Sequence, residues 1–147
     1  VSASGIKIGK FEWVLKINNN TYETKINLKS AGLLSSLYKF NGIYISKGII
    51  ENGFYRALSY SQFWETKKKI KIVELEFVKS GVKKIIQKPL EKELARVNYQ
   101  EMRGYYDPIT SFINLLYNHD AVKTIDGRRV YNITLIEEDN KKSKKTY

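Results

Sequence analysis

A chain of 147 residues, 42% hydrophobic and 13% aromatic, is long enough to bury a core as a single domain and too apolar to be disordered. It has no cysteine, which excludes disulfides, zinc ribbons and thiol catalysis, and no apolar run of about 18 residues that would read as a transmembrane helix. Its net charge of +11 is almost all lysine, which lacks the bidentate fork of arginine; a solvated, compositionally biased surface is therefore favoured, peripheral contact with an anionic membrane comes second, and nucleic acid last.

Gly5-Ile6-Lys7-Ile8-Gly9 has glycines spaced superficially like a phosphate loop, but no helical pattern follows, and it reads as the start of a strand or a bend. Phe11, Trp13 and Leu15 alternate with Lys10, Glu12 and Lys16, which predicts a strand over 10–17. Asn18-Asn19-Asn20 is a turn tract, and Tyr22, Thr24, Ile26 and Leu28 share one face of the returning strand. Gly32 interrupts before the Leu33–Leu37 run, which fits a bulge, a bend or one helical turn. Residues 38–50 read as strand again, with Asn41-Gly42 either a hairpin turn or a bulge and Gly48 a second break. Glu51-Asn52-Gly53 is a clearer turn into the aromatic strand from Phe54 to Trp64. A charged turn over Thr66–Lys69 follows. From Ile70 to Val78 the alternation puts Val73, Leu75 and Phe77 on the core side, with Ile70, Ile72, Glu74, Glu76 and Val78 opposite. Ser80-Gly81 turns the chain into a strand at 82–86, and 88–104 is a connector with a loose helical turn around Leu90–Ala95.

Asp107 suits an N-cap and Pro108 the first helical position. Ile109, Phe112, Ile113 and Leu116 then recur at i, i+3, i+4 and i+7, which predicts one amphipathic helix at about 108–118. Asp126-Gly127 predicts a tight turn leading into Tyr131, Ile133 and Leu135, before a lysine-rich end from Glu138. Hairpins recurring every ~8–12 residues with one late helix give a mainly β fold with a minor α+β character. The expected form is a curved antiparallel sheet or half-barrel, its concave apolar face partly covered by the helix.

Catalytic signals are sparse. His119, the single histidine, stands just past the helix, where a cation suits the dipole, and reads as a terminating residue rather than a general base. His119 and Asp120 are the one close pair of ligand types, so neither metal nor cofactor is expected. No G-x-S-x-G, Walker or G-x-G-x-x-G string occurs. Glu74 and Glu76 read as solvated face residues, Asp107 as a cap and Asp126 as a turn residue. Tyr38, Tyr44, Tyr55, Tyr60, Tyr105 and Tyr106 are of the type that stacks bases, but their Ile, Leu and Phe neighbours favour core packing. A helix laid on a curved sheet leaves an apolar cleft between the layers. Phe11, Trp13, Phe77, Phe112, Ile113 and Leu116 are the residues placed nearest it, and they serve equally well to fill a dry core.

Several strings together resemble one uncharacterised bacterial family, domain-of-unknown-function family 3108. They are G-I-x-I-G from Gly5, A-G-L-L-S-S-L-Y-x-F from Ala31, the S-x-G at Ser46, the aromatic strand through Tyr60, D-P-I-T-S-F from Asp107 and D-G-R-R-x-Y from Asp126. The resemblance spans nearly the whole chain, and the helix and hairpin motifs are its most specific part. Carried over, Gly32, Gly48, Tyr60, Asp107, Pro108, Asp126, Gly127 and Tyr131 are recurrent positions of the family. Its members are typically secreted to the cell envelope, so the resemblance implies a periplasmic or envelope location and a β-rich outline similar to the half-barrels of lipoprotein carriers. Two departures stand out. Arg56-Ala57-Leu58 replaces a proline expected shortly before Tyr60, and the chain looks trimmed at both ends, with neither the family's signal nor its last strands. The function expected is a non-enzymatic binding module for a hydrophobic small molecule, a lipid or an envelope protein. A structural or assembly factor with a filled core is second, and an enzyme third.

Overall fold

The computed structural model describes residues 2–90, 98–118, 122–127 and 129–134. A short ribbon, β1 (Ser2–Ala3) with β2 (Ile6–Lys7), leads into six strands that follow one another in space in chain order. These are β3 (Gly9–Asn18), β4 (Thr21–Ser30), β5 (Phe40–Glu51), β6 (Phe54–Thr66), β7 (Ile70–Val78) and β8 (Gly81–Lys88). Each neighbouring pair is antiparallel, and the sheet stays open, with β3 and β8 as its edges. One helical turn, α1 (Leu33–Leu37), links β4 to β5. A second layer holds β9 (Tyr105–Tyr106), the helix α2 (Pro108–Asn118), β10 (Val122–Asp126) and β11 (Arg129–Ile133). There β10 pairs antiparallel with β11 and parallel with β9. The mainly β, antiparallel fold and the helix at 108–118 are as the periodicity predicts.

Turn chemistry explains the hairpins. Asn52 and Gly53 both take positive φ between the paired residues Glu51 and Phe54, as a tight two-residue turn matched to strand twist demands. Asn19, at φ 53, does similar work between Asn18 and Thr21. The last hairpin closes on Asp126 opposite Arg129, so Asp126 ends a strand and Gly127, at φ 61, begins the connection. Asn41-Gly42 is neither a turn nor a bulge. β5 runs through it without a break, and Gly42 pairs with Leu28 on one side and Trp64 on the other.

The bulge lies instead where Lys47 faces Ser59 and Gly48 faces Ala57, leaving Leu58 as the extra residue of β6. This shifts the side-chain phase by one. Tyr55 and Ala57 before it, and Tyr60 and Gln62 after it, are all buried on the same face, while Leu58 is exposed. Gly48 cannot carry a side chain here, because a Cβ would overlap the Arg56 carbonyl oxygen and approach the Tyr22 ring to 2.8 Å. A second bulge, at Lys83, interrupts the β7–β8 pairing. Bulges bend strands and add local twist.

The core joins both layers. Val73, Leu75 and Phe77 are buried on the predicted face of β7, against Tyr22, Tyr60, Ile109, Ile113 and Ile125. The helix differs from its predicted stripe. It buries Ile109, Ile113 and Leu115 together with Thr110, Ser111 and Asn114, whereas Phe112 and Leu116 remain 42% and 44% exposed. A 3-10 turn at Tyr99–Glu101 falls in the predicted connector, whose loose helical turn lies mostly outside the described residues. Leu135, His119 and Asp120 also fall outside them.

Candidate functional site

The β6–β7 hairpin tip, the α1 connection and the end of β8 meet at the end of the large sheet where β5 and β7 begin and β6 and β8 finish. Two grooves form there, of about 480 and 610 Å³, and both are lined by Trp64, Lys68 and Lys69. Leu37, Tyr38 and Lys39 wall the first, and Ile70, Lys71 and Leu90 help to wall the second. Trp64 is the last large residue of β6, and the Phe40 ring supports it with centroids 6.3 Å apart. The hairpin tip is tied down: Thr66 N–H donates to the Lys69 carbonyl at 2.8 Å, and Lys67 Nζ donates to the Ser36 carbonyl of α1 at 2.6 Å.

The lining joins two chemistries. Leu37, Tyr38, Ile70 and Leu90 are exposed large side chains gathered at one end of the sheet. Around them stand Lys39, Lys67, Lys68, Lys69 and Lys71, with no Asp or Glu among the described lining residues of either groove. The ion pairs among the described residues, Lys47–Glu23, Arg56–Glu51 and Lys84–Glu76, involve none of these lysines. Lys71 also acts on the Asp126 carboxyl, and the other four lysines stand beside exposed apolar side chains.

Neither a protein-family model, nor a curated protein, nor a solved structure matches this chain.

The space between helix and sheet is organised differently. Asp107 is fully buried and caps α2, its Oδ1 accepting from the N–H groups of Ile109 at 3.0 Å and Thr110 at 3.1 Å. Its Oδ2 accepts from the hydroxyls of Thr110 at 2.6 Å and Ser46 at 2.8 Å. The Tyr22 hydroxyl joins Thr110 Oγ1 at 2.7 Å, and Ser111 meets Thr124 at 2.7 Å. Asn114 reaches the start of β6, its Oδ1 accepting from Tyr55 N–H and its Nδ2 donating to the Tyr55 carbonyl, both at 2.8 Å. Burial pushes the Asp107 carboxyl above the usual range, against the pull of its donors, and raises the Tyr22 phenol for the same reason. An acid with no solvent access and all its donors internal binds layers together.

The six predicted cleft residues separate. Phe77 and Ile113 are core, and Trp13 packs against that core with its ring 5.7 Å from Phe112 and its indole N–H donating to Thr24 Oγ1 at 2.7 Å. Phe11, Phe112 and Leu116 are exposed. None of the six lines the two grooves at Trp64. Of the positions that the resemblance singles out, Gly48 and Tyr60 shape the β6 bulge and core, Asp107 and Pro108 start α2, and Tyr131 is half-exposed on β11. Gly32 stands where a Cβ would meet the Lys7 carbonyl oxygen at 2.5 Å. Asp126 lies deeper than a turn residue would. Burial raises its carboxyl, opposed by Lys71 and Arg129, and its Oδ1 has no hydrogen-bond partner among the described residues.

Sequence reasoning misses the groove residues because Lys67–Lys69 reads as a solvated turn when the chain is taken alone. The available signal is the aromatic pair Phe63-Trp64 shortly before the lysine run.

Proposed function

We propose that this chain is a non-enzymatic binding module, and that its ligand is a hydrophobic molecule with an anionic group held in the grooves around Trp64. The pairing of Trp64 and exposed apolar side chains with a rim of lysines, and no acid among the described lining residues, carries this reading. The two chemistries divide the labour. Each buried methylene contributes about 0.8 kcal/mol, whereas a solvent-exposed charge pair contributes about 0–1 kcal/mol. The tail therefore sets affinity and the lysines select the sign of the head. The resemblance to an envelope-targeted family supports a periplasmic or envelope setting. The filled, hydrogen-bonded layer beneath α2 favours, as a second reading, an assembly factor whose partner rests on the same groove.

Trp13→Phe leaves Trp64 as the one tryptophan and a direct reporter. Titration with oleate should shift its emission to shorter wavelength with saturation. An uncharged alkyl maltoside below its micellar concentration should bind more weakly, and Lys68→Glu with Lys69→Glu should remove that preference. An emission spectrum unmoved by oleate overturns the proposal.

A further inference from the structure

We infer that the outer edge of β3 from Phe11 to Ile17 is a self-complementary surface and that the protein associates with a second copy of itself through it, the two sheets joining as one.

The two edges of the large sheet are not alike. At β8, a bulge at Lys83 breaks the ladder, and the backbone carbonyls of Tyr99 and Gln100 lie within 2.7 Å of where a Cβ on Gly81 would stand, so this edge is kinked and partly covered. Among the described residues, β3 from Phe11 to Ile17 has neither protection. It pairs with β4 without a shift from Gly9 opposite Ser30 to Asn18 opposite Thr21, and no strand among the described residues pairs with its other side. A long, regular, uncovered edge is a template for another strand. The side chains agree, since Phe11 and Ile17 are 51% and 53% exposed and Val14 is exposed between them.

Hydrogen-bond parity limits how a second strand could add. Carbonyls of even-numbered residues point towards β4: Ile8 accepts from Ala31 N–H at 3.1 Å, Val14 from Thr24 Oγ1 at 3.2 Å, and Asn18 from Thr21 Oγ1 at 2.8 Å. Phe11, Trp13, Leu15 and Ile17 therefore direct their N–H and C=O groups outwards. A two-fold antiparallel partner must place these residues opposite one another. Centring the axis on Val14 sets Phe11 against Ile17 and Trp13 against Leu15 on the inner face, and Glu12 against Lys16 on the outer face, each twice. About eight new ladder bonds form in that register. Moving the axis to Trp13 sets Lys10 against Lys16, and moving it to Leu15 leaves Glu12 facing Asn18. Of these three registers, the Val14 axis alone turns the charges on this edge into attractions. Lys10 and Lys16 alone would blunt the edge, and Glu12 converts the blunting pattern into a matching one.

Sedimentation equilibrium over a wide concentration range tests this. The wild type should show a reversible monomer–dimer equilibrium. Glu12→Lys and Lys16→Glu each create two like-charge cross-strand pairs and should weaken dimerisation about tenfold or more. The double variant Glu12→Lys/Lys16→Glu should recover it. An equimolar mixture of the two single variants should form a mixed dimer tighter than either forms alone. In that mixed dimer both cross-strand pairs between positions 12 and 16 again join opposite charges. These sites are exposed, so circular dichroism should remain that of the wild type. A wild type monomeric throughout overturns the inference, and so does a dimer indifferent to both single reversals.

Discussion

Asp107→Ala tests whether the buried acid holds the two layers together. The carboxylate accepts four hydrogen bonds in a site without solvent. Losing the cap on the Ile109 and Thr110 N–H groups costs about 1 kcal/mol. Taking this acceptor from the Ser46 and Thr110 hydroxyls costs about 1 kcal/mol each, since both residues are buried. The expected loss is about 3 kcal/mol, a large part of the ~5–15 kcal/mol that holds an ordinary domain folded. Asp107→Asn keeps one oxygen for the two backbone donors and should lose less than half as much. Urea unfolding followed by circular dichroism and tyrosine fluorescence measures both, with an unchanged slope as the condition for comparing them. Ser46→Ala in the Asp107→Ala background should cost about 1 kcal/mol less than in the wild type, since its partner is already gone. A loss below about 1 kcal/mol for Asp107→Ala would mean that the acid is an ordinary exposed-type cap, and the bridging role would fail.

Glycine substitutions separate steric need from backbone preference. Gly48→Ala should cost about 3 kcal/mol or prevent folding, since its Cβ meets backbone, while Gly53→Ala, with open space around it, should cost only about 1–2 kcal/mol. Equal losses in thermal unfolding would contradict that distinction. Asp126 gives a pH signature. Burial raises its folded-state carboxyl, so the folded form binds the proton more tightly, and the stability this group contributes falls as pH rises from the ordinary aspartate range through the raised one. Asp126→Asn cannot titrate, so its stability relative to wild type should climb from acid towards neutral pH; a flat difference would refute the burial argument. Trp13→Phe should lose about 1 kcal/mol with its Thr24 bond and keep its packing on Phe112, and a larger loss in chemical denaturation would assign Trp13 a heavier role in the core.

Local signals are legible in the sequence where they are strong. Asp107-Pro108 marks the start of α2, and strict alternation from Ile70 to Val78 identifies Val73, Leu75 and Phe77 as core. The buried face of α2 is not legible. Thr110, Ser111 and Asn114 look like solvent-facing residues until Ser46, Tyr22 and the Tyr55 backbone arrive opposite them from far along the chain. Their polar partners make burial acceptable, and Phe112 and Leu116 are displaced to the rim. Gly48 is legible as an irregularity but not as a bulge, because the extra residue sits on the neighbouring strand at Leu58. The groove at Trp64 is hidden for the same reason, since it exists only where segments distant in sequence end together.

Asn114 has a mechanical consequence. β7 pairs with β6 only from Ser59 onwards, which leaves the peptide groups at Tyr55 without a strand on that flank. The side-chain amide of Asn114 fills the vacancy as a single surrogate peptide, giving and taking one bond as a neighbouring strand would. Apolar packing alone would let α2 slide or roll over a smooth face at little cost. This clamp fixes its axial position to one residue, so the second layer meets the sheet at a set point along the strands, and the uncovered remainder of the face keeps a constant length.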